Sequence, residues 1–302
     1  MSHSGPMTQA RSRNFHRFYD INGWCFVLAS LTLVLLFMIY PILNSLWLSL
    51  HSGKGVIVQF VGFGNITRLM NDQVFITALT NTLIFLIVQV PLMILLSLAT
   101  ASCLNSPNVR FRSFFRMAIF LPCVTSLVAY SILFKSMFGY DGIVNSALMT
   151  IGLIEHPIAW LTDPFWSKVT IILAITWRWT GYNMIFYLAA MQNIDKSIYE
   201  AAKLEGVSPV QTFFHITVPL LKPVILFTSV MSTIGTLQLF DEVMNITNGG
   251  PANATLTLSM YIYNLSFKFV PNFGYAATVS YVIVFFAAVL ALVQFKFVQD
   301  KK

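Results

Sequence analysis

"EAAKLEGVSPVQTFFHITVPLLKP", Glu200–Pro223, is a charged and carefully punctuated stretch in a chain of 302 residues that is 57% hydrophobic and 10% charged. Just ahead of it, Ser197-Ile198-Tyr199-Glu200 reads as a capping box, with Ser at N-cap and Glu at N3 satisfying each other's backbone amides. The helix that follows runs through Ala201, Ala202 and Leu204 to Gly206, a left-handed terminator. Ser208-Pro209-Val210-Gln211 is a second start: an N-cap Ser, Pro at the first helical position and Gln at N3. Val210, Phe213, Phe214 and Thr217 then recur at helical spacing on one face, and Val218-Pro219 closes the helix. The stretch predicts two short helices set at an angle, a polar knob between two apolar segments.

The flanks decide what kind of protein carries the knob. A soluble domain has roughly 25% charged residues, whereas this chain has a mean hydropathy of +0.73 and 27 Phe. Residues 21–53, 73–109, 117–134, 223–240 and 269–295 contain no Asp, Glu, Lys or Arg. A bilayer core takes about 17–25 apolar residues per helix. A sixth run, 166–190, is interrupted by Lys168 and Arg178. The predicted fold is therefore an all-α integral membrane protein of six transmembrane helices, near 24–48, 78–103, 115–137, 167–190, 220–240 and 275–297. Residues 1–20 read as a basic N-terminal arm and 21–302 as one transmembrane domain, with the loop 191–219 carrying the knob. The first run exceeds a signal peptide's apolar core of about 7–15 residues and is followed by no cleavage site, so it reads as a retained span.

Six spans place both termini on the side of loops 104–114 and 191–219. That side carries twelve Lys and Arg, among them Arg11, Arg13, Arg17, Arg110, Arg112, Arg116 and Lys196, against five on the other, Lys54, Arg68, Lys135, Lys168 and Lys268. The bias puts the termini in the cytoplasm. The net charge of +7 is thus a topology signal and forms no nucleic-acid footprint. The outer segment 139–166 reads as interfacial helices with Trp160 and Trp166 at headgroup level. "NITNGGPANATLTLS" is too rich in Asn, Thr, Gly and Pro to cross lipid as a helix. Cys25, Cys103 and Cys123 lie in or beside apolar runs and read as buried small hydrophobes.

Catalytic machinery is missing from the sequence. There is no GxxxxGK[ST] loop to cradle ATP phosphates, no GxSxG and no HExxH. The five histidines are scattered over both sides of the membrane, which excludes a shared metal site.

The knob's spacing carries a resemblance. Glu200-Ala201-Ala202, Gly206 four residues on, then Ile216 and Pro219 resemble the EAA loop of permeases of binding-protein-dependent ABC importers, with Val218 standing where Leu is usual. "YPILNSLWLSL", "GYNMIFYLAAMQNIDKSIYEAA" and "TNGGPANATLTLSMYIYNLSF" extend the likeness from about Tyr40 to the C-terminus. They are similar to the maltose-type carbohydrate branch, and within it to the subunit with the Gly-Gly-Pro outer loop. The resemblance implies a bacterial inner-membrane permease subunit, half of a heterodimer with a second, paralogous permease. It also implies two ATPase subunits that bind ATP and Mg, and an extracytoplasmic solute-binding protein. This chain then binds no cofactor and is not an enzyme. Glu200, Ala201, Ala202, Gly206, Ile216 and Pro219 would dock the ATPase.

A sugar needs hydroxyl partners and aromatic faces inside the bundle. The family's sugar-contacting positions fall on Tyr130, Thr180, Gly181, Ser232, Gly235, Thr236 and Leu239. Small and hydroxyl residues in membrane helices also serve simply as close-packing positions. Arg178 costs about 2.5–3.5 kcal/mol to insert and so needs a partner or a wet cavity. It either stacks between Trp177 and Trp179, or meets a substrate hydroxyl, or pairs with Asp241 or Glu242. A secondary transporter would show intramembrane carboxylate pairs and repeated broken helices, and an importer of anions would show several intramembrane cations. Neither pattern is present.

Overall fold

Proline and polar residues, set at intervals in the apolar runs, decide where this chain bends. The computed structural model describes residues 23–24, 26–53, 59–106 and 108–299; the predicted arm 1–20, Cys25 and the C-terminal lysines lie outside them. Helix α1 (Phe26–Ser49) has a mean hydropathy of 2.5 and no residue of its apolar window buried against the rest of the chain. A π-turn at Leu35–Ile39 precedes Pro41, which has no amide to donate, so the helix widens by one residue there. After a two-residue antiparallel pair, His51–Ser52 with Gln59–Phe60, come α2 (Gly64–Met70) and α3 (Gln73–Asn105). At 1.5 Å per residue α3 is about 50 Å long.

Asp72 caps α3, accepting from the amides of Val74 and Phe75. It also accepts the hydroxyls of Tyr261 and Tyr275, at 2.5 and 2.6 Å. One carboxylate thereby ties the start of α3 to the last part of the chain. Asn81 does the same for the Gly-Gly-Pro loop, donating to the carbonyls of Asn253 and Leu256.

The predicted third span is two helices, not one. α4 (Arg112–Val124) and α5 (Leu127–Met137) meet at 100°, because Thr125 and Ser126 are extended, with ψ of 149° and 133°. Pro122 cannot donate in the last turn of α4, and the Thr125 hydroxyl takes its carbonyl at 2.8 Å. A Pro-Cys-Val-Thr-Ser run thus breaks a helix that apolar counting reads as continuous.

Beyond α5, the chain forms α6 (Ile143–Thr150) around Asn145. This side chain donates to the carbonyls of Tyr140 and Ile158 and accepts from the Ile158 amide and Trp160 Nε1. Trp160 is consequently 7% exposed, edge-on to Trp166. It belongs to the protein core, not to a headgroup belt, since its indole N–H is already satisfied.

α7 (Pro164–Gln192) runs through the middle of the bundle between α3 and α4. Its Trp-Arg-Trp-Thr-Gly-Tyr-Asn segment keeps it outside the set of helices apolar enough to cross a membrane alone. Protein covers the polar face of that segment: Arg178, Thr180, Gly181 and Asn183 are all buried, while Trp177 and Tyr182 are exposed. After the knob, formed by α8 (Lys196–Leu204) and α9 (Pro209–Leu220), the chain bends by 72° into α10 (Lys222–Leu237). The helix passes through Pro219 and breaks at Leu221, two residues beyond the predicted end, because the π-turn at Phe213–Thr217 just before it accommodates the proline's missing amide. Short helices α11 (Asp241–Ile246) and α12 (Leu258–Tyr263) flank the Gly-Gly-Pro loop, and α13 (Phe273–Gln299) ends the described chain.

Among the described residues, three helices are long and apolar enough to span a membrane, or up to five if each bent pair counts as one. The chain is a mostly helical multi-pass membrane protein. Its main core joins α3, α5, α7, α11, α12 and α13, and a second cluster, with Tyr187 and Leu221 at its centre, sits near the knob. Cys103 is exposed and Cys123 half-buried, both free thiols. Neither is the fully buried hydrophobe predicted.

Candidate functional site

The knob is built differently at its start than the sequence suggests. Asp195, not Ser197, is the N-cap: its carboxylate accepts from the Ser197 amide at 2.9 Å, and the helix begins at Lys196. Bonds from the Ser197 backbone and side chain hold the Asp195 carboxyl below its ordinary value. An ionised Asp next to the first turn outcompetes Ser, since it also favours the helix dipole. Glu200 is left exposed, free of any capping role.

The turn itself is as predicted. Gly206 has φ +72°. The Val207 amide donates to the Ala202 carbonyl and the Gly206 amide to that of Lys203, at 3.0 and 3.1 Å, a Schellman motif. Ser208 and Gln211 form the second, reciprocal capping box. Tyr199 and Thr217 bring their hydroxyls to 3.2 Å, fastening α8 to α9. A π-turn at Phe213–Thr217 shifts α9 by a residue, so Val210 and Phe214 point outward while Phe213 packs inward and Thr217 is buried. The outer surface of the knob therefore presents Glu200, Ala201, Gly206, Val210, Phe214 and Pro219, with Leu204 91% exposed. Ala202 is buried under this surface and Ile216 is half-buried.

The second feature is an open cavity of about 550 Å³ lined by α3, α7, α10 and α11, with Leu127 of α5. Gln89 and Met93 line it from α3, Trp179, Tyr182 and Asn183 from α7, and Ser232, Gly235 and Thr236 from α10. Leu239, Asp241 and Glu242 close the end where α10 gives way to α11. Thr236 donates to Gln89 Oε1 at 2.9 Å, which fixes the amide, and Gln89 Nε2 reaches Met93 Sδ.

Arg178 sits on this wall, and the structure selects among its predicted partners. Its Nη1 lies 3.9 Å from Glu242 Oε1, and its guanidinium is 5.2 Å from the Tyr130 ring and 5.7 Å from that of Trp179. Trp177 stacks on Tyr130, with ring centroids 5.9 Å apart. A buried cation needs a counter-charge and polarisable faces; Glu242 and these rings supply them.

The predicted pathway residues divide into three groups. Ser232, Gly235, Thr236, Leu239 and Arg178 line the cavity. Tyr130 lies behind Arg178, buried, its hydroxyl without a hydrogen-bond partner among the described residues. Thr180 and Gly181 are off the wall. Thr180 donates to the Thr176 carbonyl and its own carbonyl accepts from Ser97, at 2.6 and 2.9 Å. Gly181 lets α7 lie against the backbone of α4, where a Cβ would overlap the Ile119 carbonyl. Both hold helices together, the small-residue role that membrane packing favours. Gln89 went unread in the sequence, although a single Gln between Val88 and Val90 in an uncharged apolar run was the available signal.

A knob at one end and a polar, aromatic cavity in the bundle form the arrangement of a transport subunit. Residues 61–299 match the family profile of the binding-protein-dependent transport system inner membrane component. The chain belongs to that family. The permease is 62% identical to the lactose transport system permease protein LacF of Rhizobium radiobacter, over 98% of this chain and 99% of that one. It is 35% identical to the arabinooligosaccharides transport system permease protein AraP of Bacillus subtilis, over 87% and 83% of the two chains. Among solved structures, a bacterial ABC transporter that imports the acidic polysaccharide alginate matches over 97% of this permease and 99% of that chain, with TM-score 0.82 and 22% identity. A second structure, of a bacterial alginate ABC transporter bound to a periplasmic protein carrying an alginate pentasaccharide, matches at TM-score 0.76 and 25% identity, over 95% and 94% of the chains.

Proposed function

We propose that this permease is one half of the translocation pathway of an ATP-driven sugar importer, with a disaccharide or short oligosaccharide as cargo. The observation that carries the reading is the direct succession of knob and cavity. α9 of the knob passes through the bend at Leu221 into α10, whose Ser232, Gly235 and Thr236 form one cavity wall. A rigid displacement of the knob therefore moves the wall. The cavity's volume lies in the range of about 300–1,000 Å³ typical of small-molecule sites. Its rings and uncharged polar groups suit sugar faces and hydroxyls, and the 62% identity to a lactose permease supports that class of cargo.

In this reading the bundle crosses a bacterial inner membrane six times, the bent α4–α5 pair and α7 each counting as one crossing, with both termini and the knob in the cytoplasm. The knob docks a separate ATPase through Glu200, Ala201, Gly206 and Pro219, over Ala202 and Ile216. Two ATPase subunits bind ATP and Mg, a second, paralogous permease completes the pathway, and an extracytoplasmic solute-binding protein delivers the sugar. The chain carries no cofactor of its own.

The test is Ser232→Phe in the assembled complex, reconstituted in vesicles with its solute-binding protein. Ser232 is half-buried on the wall, so the ring fills the cavity without entering the packed core. Lactose uptake should be abolished while all four subunits still co-purify. Normal uptake by the assembled variant would remove the cavity from the pathway.

A further inference from the structure

The cavity wall carries an unbalanced, under-bonded set of charges. Among the described residues that line it, the ionisable groups of opposite sign are Arg178 on one side and Asp241 and Glu242 on the other: one cation against two carboxylates. Arg178 and Glu242 are 8% and 5% exposed. Their 3.9 Å separation is an ion contact, too long for a hydrogen bond. Arg178 Nε and Nη1 are buried and find no hydrogen-bond partner among the described residues. A guanidinium offers five N–H donors in a fixed fork, and the three on Nε and Nη1 are unused here.

A hydroxyl can complete this arrangement and a carboxylate cannot. A sugar hydroxyl both accepts and donates, so one or two vicinal hydroxyls can accept from Arg178 and donate to Glu242 without altering the charge sum. The rings of Trp179 and Tyr182 on the same wall suit the apolar faces of the same sugar. An ionised carboxylate only accepts. It would draw Arg178 away from Glu242, leave Glu242 buried beside Asp241 without a counter-charge, and add a third anion.

We propose that the Arg178–Glu242 pair is a charge filter: it makes the cavity accept uncharged sugars and reject uronic or other acidic ones, with Glu242 as the discriminating residue. The inference rests on the cavity being the sugar pathway. It assigns the selection to the permease itself, separate from any made by the solute-binding protein.

The experiment is equilibrium binding of labelled lactose to the purified complex in nanodiscs without its solute-binding protein, with lactobionate, the acid counterpart of lactose, as competitor. In the natural complex lactobionate should bind at least about a hundredfold more weakly, since it must break a buried pair. Glu242→Gln neutralises one carboxylate and should shift the lactose-to-lactobionate ratio at least about tenfold toward lactobionate. Asp241→Asn alters the same charge sum from an exposed position without touching the pair, and should shift it in the same direction by about twofold to fivefold. An unchanged ratio in an assembled Glu242→Gln complex overturns the filter. Should Glu242→Gln fail to assemble, the Asp241→Asn ratio decides: a shift toward lactobionate upholds the filter and no shift overturns it. Equal binding of both sugars by the natural complex overturns the filter while leaving the cavity as the sugar site. Binding of neither overturns the cavity reading, and the filter with it.

Discussion

Gly181 and Gly235 look alike in the sequence, each a glycine in a polar patch of an apolar helix, yet the same substitution should separate them. A Cβ at Gly181 would overlap the Ile119 carbonyl and come within 2.9 Å of Phe120 Cα. Both obstacles are backbone, so no side-chain rotation relieves them and α4 must move away from α7. α7 cannot retreat, because Ser97 of α3 holds the Thr180 carbonyl at 2.9 Å from the other side. Overpacking of this kind costs about 1–3 kcal/mol, and one or two kcal/mol is a factor of about 5–30 in a folding equilibrium. At Gly235 no heavy atom lies within 4 Å of the added Cβ. Alanine there gains up to about 1 kcal/mol of helix propensity. Heating the purified complex in detergent and measuring the fraction that stays monodisperse should therefore show Gly181→Ala clearly weakened and Gly235→Ala unchanged or improved. Gly235→Ala should instead reduce uptake, since its methyl enters the cavity. Natural thermal behaviour in Gly181→Ala would mean that α4 and α7 do not cross at this glycine, and the argument would fail.

Gly206→Ala meets no steric obstacle but puts a Cβ on a residue with φ +72°, at about 1–2 kcal/mol; sugar-stimulated ATP hydrolysis by the four-subunit complex should fall more than the amount of permease. Glu200→Gln, which touches no cap, should lower that stimulation mildly, and normal stimulation in both variants would make the knob a mere connector. Because Asp195 caps α8, Asp195→Ala should speed hydrogen exchange at the Ser197 amide while Ser197→Ala leaves the first turn intact; the reverse result would restore Ser197 as the cap. For Asp72, burial raises the carboxyl but the bonds from Tyr261, Tyr275 and the Phe75 and Val74 amides outweigh it, holding the group below its ordinary 3.8. A lowered folded value stabilises fully above the unfolded one and is lost as pH falls through the folded one. The thermal gap between the natural permease and Asp72→Asn should hold at neutral pH and shrink below about pH 3.8, and a constant gap through that range would refute the role.

What the sequence determined by itself was most of what depends on near neighbours or on composition, the cap at Asp195 and the break at Thr125–Ser126 being the local features it missed. Uncharged runs announce membrane helices because lipid admits no unpaired charge. Gly206 and Ser208-Pro209-Val210-Gln211 announce the turn and second start of the knob because capping is settled within a few residues. The spacing of Glu200, Gly206, Ile216 and Pro219 carried the family for the same reason. Tertiary structure alone decided which of the polar residues in the helices face a cavity and which face another helix. Thr180 and Thr236 have the same side chain in similar surroundings, but one meets its own helix and Ser97, and the other meets Gln89, 147 positions away in the chain. The partner of Arg178 was open for the same cause. Trp177, Trp179, Asp241 and Glu242 were all within reach on paper, and only the folding of α11 back toward α7 set Glu242 beside it. Local signals fix backbone conformation because they act through hydrogen bonds a few residues long; the facing of a side chain depends on how whole helices cross.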